Sequence, residues 1–169
     1  MKTLREQIKW AEENKVAIGH FNISNLEGLH GVYNAGKKLG VPVIIGLSEG
    51  EEDFVGRNEA VALIKELREK ENYPIYLNAD HHYSFERVKE AIDAGFDSVI
   101  IDVADKSYEE NVSLTKQCVE YAKNSGRDVL VEAELGFIGS GSSIKDTIPE
   151  GAGILTDPSE AKKFVEETG

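Results

Sequence analysis

Apolar residues gather in five short runs along the chain, Val16–Phe21, Val43–Leu47, Ile75–Ala79, Ser98–Val103 and Val129–Glu134. Each run is β-branched or mixed and is bounded by turn residues or charges, the pattern of buried parallel strands. Their starts lie 23 to 32 residues apart. A strand with its crossover helix takes about 30 residues, so each interval holds one βα unit.

The intervals read as helices. Leu4–Asn14 precedes the first run. Asn25–Leu39 opens on an Asx cap and closes at Gly40, with Pro42 just beyond. Arg57–Lys70 carries Val61, Ile64 and Leu67 on one face. Ser84–Ala94 has Ser84 as its cap, Arg87 where a full capping box would place Glu, and Gly95 as its stop. Ser107–Ser125 ends before Gly126. Asp157-Pro158 opens a last helix, with Asp as cap and Pro at the first helical position. Residues 136–156 hold five glycines and three serines without a period, so a functional or mobile loop is expected there.

Strict β–α alternation permits a doubly wound sheet or a (β/α)8 barrel. A barrel uses about 250 residues for eight units. On that scale the 169 residues supply a leading helix and about five units. The expectation for a barrel is a partial domain over residues 1–169 that stops before strand six.

Composition narrows the function. Lys and Arg number 19 against 31 Asp and Glu, a formal net charge of −12. Phosphate-backbone recognition rests on clustered Lys and Arg, so a nucleic-acid partner is not expected. The same balance disfavours an anionic membrane surface, and no apolar stretch approaches a membrane span. One cysteine offers no internal disulfide, and the chain starts without an apolar signal-peptide core; a cytoplasmic location is expected.

In either architecture, chemistry sits at the C-terminal ends of the strands. Alternation puts Ile18, His20 and Asn22 on one face of the first strand, where Asn22 either serves a site or only caps a turn. Ser48, after the second strand, could bond a ligand or cap the next element. The third strand ends Asp80-His81-His82, an acid/base group beside imidazoles, with His82 read as a neighbour rather than a ligand. Asp102 shares a face with Ser98 and Ile100, and a carboxylate there needs a partner or a metal. Glu132 and Glu134 fall on one face of the fifth strand, either around a cation or at a rim open to water. His30 is expected to be a partly buried helix residue and Cys118 a core thiol. The glycine-rich loop lacks the Gly-Lys-Ser/Thr of a P-loop. Three adjacent strand ends with such donors point to a divalent cation.

At these residues the chain resembles the class II, metal-dependent fructose- and tagatose-bisphosphate aldolases. His20-Phe21-Asn22-Ile23-Ser24-Asn25 resembles that family's Ala-Phe-Asn-Val-Asn-Asn, and Ser48-Glu49-Gly50 its serine turn. Asp80-His81-His82-Tyr83-Ser84 resembles its Asp-His signature. Ile101-Asp102, Val131-Glu132-Ala133-Glu134-Leu135-Gly136 and Leu155-Thr156-Asp157-Pro158 match further segments in order. Ala104 stands where the family has Ser, and Gly139-Ser140-Gly141-Ser142-Ser143 where it has Gly-Gly and acidic residues.

The resemblance implies a TIM barrel that splits a ketose bisphosphate into two triose phosphates with zinc. By position, His81 is implied as a zinc ligand, Asp102 and Glu134 as residues that bind or border metal, and Asp80 as the group that moves the C4 hydroxyl proton. Asn22 and Ser48 fall at substrate-side positions. A second divalent or monovalent cation is compatible with the acidic positions. The family's other zinc histidines lie on strands six and seven. The expected substrate is fructose 1,6-bisphosphate, with tagatose bisphosphate or a non-catalytic half-barrel scaffold as alternatives. A homodimer or higher homo-oligomer is expected.

Overall fold

The protein is described by a computed structural model, which covers residues 1–136 and 155–169. The elements run α1 (Leu4–Asn14), β1 (Gly19–Asn22), α2 (Leu26–Leu39), β2 (Val43–Ser48), α3 (Glu49–Val55), α4 (Arg57–Glu71), β3 (Ile75–His82), α5 (Phe85–Ala94), β4 (Ser98–Ile101), α6 (Tyr108–Asn124), β5 (Leu130–Ala133) and α7 (Pro158–Thr168). All strand pairs are parallel, and the order is β1-β2-β3-β4-β5. A doubly wound sheet reverses its strand order at a switch point. No reversal occurs among these five strands, so the topology is that of a barrel segment.

Register explains which face is which. Val43, Ile45, Leu47, Ile75, Leu77, Ala79, Val99 and Ile101 all enter one core cluster, together with helix residues such as Leu29, Ile64, Val88, Ile92 and Cys118. These odd-numbered strand positions face the helices. The alternate positions, including Asn22, Gly46, Asn78, Asp80 and Ser98, face the other way. Fully burying one Ile or Leu stabilises by about 1.5–3 kcal/mol, so this one-sided pattern fixes the register.

The lower rim is tied by polar contacts. Asp97 Oδ2 accepts from Leu77 N at 2.8 Å and from the Arg68 guanidinium at 2.5 Å, joining β3 to the start of β4. Tyr76, on the inner face, donates its hydroxyl to Lys2 O at 2.8 Å, so α1 is moored at that end. Arg127 donates to Ile92 O, Gly95 O and Phe96 O, covering the open carbonyls at the end of α5.

Most expected boundaries hold within three residues. Asn25, Ser84 and Asp157 cap their helices as read, Ser107 caps α6, and Pro158 occupies the first turn of α7. The additional element is α3. Its start, Ser48-Glu49-Gly50-Glu51, is a capping box in which Ser48 Oγ accepts from Glu51 N and Glu51 accepts from Ser48 N. The acidic run within it has no apolar period, which hides it in the sequence. His30 is exposed rather than partly buried, because Leu29 and Tyr33 take the inward face of α2. The loop expected over 136–156 falls largely outside the described residues.

Packing generates two expected outcomes. In α2, a Cβ on Gly36 would collide with the Tyr73 hydroxyl and with Val43 Cγ1. Gly36→Ala should therefore destabilise by about 1–3 kcal/mol in urea unfolding, against the usual helical advantage of Ala. Burial pushes the Cys118 thiol up to about 12. A thiol-reactive chromogen near pH 8 should then leave Cys118 unlabelled until the protein is unfolded.

Candidate functional site

The site begins with a break in alternation at the end of β3. Strict alternation would point Asp80 inward, His81 outward and His82 inward. Instead the β3–β4 register shifts between Ala79 and His82, and His81 adopts φ 51 in the left-handed region. A bulge of this kind re-aims side chains, and non-glycine residues rarely hold that backbone without support. Asp80 and His81 now share the mouth of the sheet, while His82 turns back and is completely buried.

At the mouth, His81 Nδ1 lies 2.8 Å from Asp102 Oδ2. Its other nitrogen, Nε2, lies 3.8 Å from Asp80 Oδ1 and 3.9 Å from Glu134 Oε1. Burial works to lower the His81 imidazole, but the Asp102 bond and the charges of Asp80 and Glu134 outweigh it and raise it. Burial raises the Glu134 carboxyl; His81 opposes this, while Asp102 and Asp80 add to it. One layer below, Asn78 donates to Ser98 Oγ at 2.6 Å and to Glu132 Oε1 at 3.1 Å. Glu132 keeps an exposed surface, yet protein atoms crowd its carboxyl, and that crowding together with Asp80 raises it.

The neighbouring corner is built from β1, β2 and α3. Asn22 Nδ2 donates to Asp80 Oδ2 at 2.7 Å and to Glu51 Oε2 at 2.9 Å. The Ser48 hydroxyl donates to that same Glu51 oxygen at 2.8 Å. Gly46 makes room for this corner: a Cβ there would strike His20 Nε2 and Asn22 Oδ1.

Behind the mouth, α3 is stitched to β3. Glu52, buried to 2% exposure, pairs with Arg57 and stands 3.2 Å from His82 Nε2. The angles of that last approach fall short of a hydrogen bond, and both ring nitrogens of His82 are left without one. Arg87 donates to Asp53 at 2.8 Å and to Glu49 O at 3.3 Å, and Tyr83 N donates to Glu49 Oε1 at 2.9 Å. Burial works to raise the Glu52 carboxyl, but His82 and Arg57 prevail and hold it below the ordinary value.

The structure thus brings together Asp80, His81, Asp102, Glu134 and Asn22, and links Ser48 to them through Glu51. Sequence reasoning missed Glu51, Glu52 and Asn78. The capping-box spacing from Ser48 could have flagged Glu51, and alternation within β3 could have flagged Asn78. As a test for a metal, the donor kinds fit: one imidazole nitrogen turned toward two carboxylates, the other held by a carboxylate, as ligating histidines usually are. The count is short. Among the described residues, no three His, Cys, Asp or Glu side chains are placed to hold one ion.

The chain matches the family described as fructose-bisphosphate aldolase class-II over residues 2–169, and it belongs to that family. It is 41% identical to a fructose-bisphosphate aldolase of Staphylococcus aureus (strain Mu50 / ATCC 700699) and 42% identical to one of Geobacillus stearothermophilus, each over 99% of this chain. It spans 58% of the length of both relatives. The crystal structure of the YdjI aldolase from Escherichia coli K12 superposes with a TM-score of 0.80 at 30% identity, over 99% of this chain and 57% of that one. A Campylobacter jejuni fructose-bisphosphate aldolase shares the fold at 22% identity and TM-score 0.78, over 98% of this chain and 53% of that one. The α/β fold is that of a TIM barrel, present here in part.

A carboxyl held low when folded contributes stability that is complete above its unfolded value and is lost as pH falls through its folded value. Glu52→Ala should cost about 1–3 kcal/mol near neutral pH, since it removes the buried neighbour of His82 and one of the two carboxylates on Arg57, leaving Glu90 as the other. The gap in thermal midpoint between wild type and Glu52→Gln should narrow as pH drops through the carboxylate range. A gap independent of pH would contradict the pairing.

Proposed function

We propose that this chain forms the N-terminal part of the barrel of a zinc-dependent class II aldolase that cleaves fructose 1,6-bisphosphate to dihydroxyacetone phosphate and glyceraldehyde 3-phosphate. The observation that carries the reading is the His81 imidazole, with Nδ1 on Asp102 and Nε2 turned between Asp80 and Glu134. Family membership over residues 2–169 supports it.

In this reading His81 holds zinc, with Glu134 binding or bordering the cation. Asp102 bonds His81 Nδ1, so its part is to fix the ring and its tautomer rather than to be a ligand itself. Bound zinc supplies Lewis-acid stabilisation of the negative charge that the substrate develops. Asp80 accepts the proton of the C4 hydroxyl as the C3–C4 bond breaks; C4 becomes the aldehyde carbon and the electron pair stays with the C3 fragment. Asn22 holds one oxygen of Asp80 and leaves Oδ1 on the side of His81 Nε2. Asn22 and Ser48 line the substrate side. The active form is a cytoplasmic homo-oligomer.

Zinc content and coupled aldol-cleavage assays test this reading, run with fructose and with tagatose 1,6-bisphosphate, which differ at C4. His81→Ala should lose bound zinc and turnover together. Asp80→Ala should keep zinc and lose about 10²–10⁴-fold in kcat. A non-catalytic scaffold is the second reading, favoured by the absence of three converged donors among the described residues. Zinc-independent folding without turnover of either ketose would select it.

A further inference from the structure

Glu51 has no counterpart in the site as read from the sequence, yet its Oε2 gathers three donors. They are Ser48 N at 2.8 Å, Ser48 Oγ at 2.8 Å and Asn22 Nδ2 at 2.9 Å. The first two belong to the cap of α3. The third does not: Asn22 lies on β1, 29 residues away in sequence, and capping needs nothing from it.

The Asn22 contact has a consequence for Asp80. A primary amide nitrogen carries two hydrogens, and Asn22 spends one on Glu51 and the other on Asp80 Oδ2 at 2.7 Å. With carboxylates on both sides, only one orientation of the amide is tolerable, because the flipped one would aim its carbonyl oxygen at two anions. Asn22 Oδ1 is accordingly turned over Gly46, where only a glycine leaves space. The amide is therefore clamped, and with it the Asp80 carboxylate, one of whose oxygens is fixed while the other is left on the His81 side.

We propose that Glu51 is a positioning residue, acting through Asn22 to fix the Asp80 carboxylate for proton transfer. Ser48 is part of the clamp because its hydroxyl is committed to the same Glu51 oxygen. The clamp joins three consecutive strand ends, β1 through Asn22, β2 through Ser48 and β3 through Asp80, with α3 supplying the anchor. The kinetic consequence rests on the aldolase reading; the clamp itself does not.

The test uses the full chain and two variants. Glu51→Ala removes the acceptor; Glu51→Gln keeps an acceptor oxygen without the charge. The side-chain amide of Asn22 is followed by 1H–15N NMR, assigned by the pair of signals lost in Asn22→Ala. One Asn22 amide proton should move upfield in Glu51→Ala and, to a lesser extent, in Glu51→Gln. A helix cap alone would change the thermal midpoint and leave these signals in place. Unchanged Asn22 signals in Glu51→Gln overturn the proposal even if Glu51→Ala fails to fold.

In steady-state kinetics with fructose 1,6-bisphosphate, Glu51→Ala should lose about tenfold in kcat, with KM altered less than about twofold, as expected when a reacting group is loosened rather than a substrate contact removed. Glu51→Gln should restore most of the loss. A rise in KM at constant kcat would overturn the positioning role. If the wild type turns over no ketose bisphosphate, the aldolase reading fails and the NMR arm still decides whether the clamp exists.

Discussion

The left-handed backbone at His81, with the bulge that precedes His82, is the constraint from which the mouth of the sheet derives. Without it, alternation would send the His81 ring into the layer between sheet and helices and bring His82 inward. With it, His81 reaches Asp102 on β4 and stands beside Asp80 and Glu134. His is among the few residues with a side chain that visit this region more readily than average, though at a cost.

That cost is met from behind. His82 is sealed against Glu52, and Glu52 is held by Arg57. Tyr83 N fastens the same short helix to the turn after β3, and Arg87 fastens it to α5. Buried ion pairs often add little net stability, and their best-attested use is to select one arrangement over its competitors. Here the arrangement selected is the seating of α3 against the end of β3. The helix then works on two sides at once, with Glu52 toward His82 and Glu51 toward Asn22.

Much of this was legible in the chain. Five short apolar runs at βα spacing gave the strand count, and caps such as Asn25, Ser84 and Asp157-Pro158 gave helix starts, because both depend on local chemistry. The doubly wound alternative needed the structure, since strand order is a long-range property that spacing does not encode. Asp80, His81, Asp102 and Glu134 could be nominated from their places at strand ends. Their mutual distances could not, because these depend on a bulge that alternation forbids. α3 escaped notice because its acidic run carries no apolar period, and Glu51 and Glu52 went with it. The Asp102 contact was out of reach as well: the sequence nominates a carboxylate at that strand end but not the bond of its Oδ2 to the His81 ring.

The carboxylates of Glu51, Asp80, Asp102, Glu132 and Glu134 crowd one end of a chain that already carries a net charge of −12. Their fields add there. Cations are drawn to such an end and anions are slowed on approach. Dissolved electrolyte levels the effect, since at 0.1 M ionic strength potentials fade over about 10 Å. Any anion therefore meets an uphill path at this end until positive charge has arrived ahead of it, so the order of arrival is set by the electrostatics rather than by a moving part.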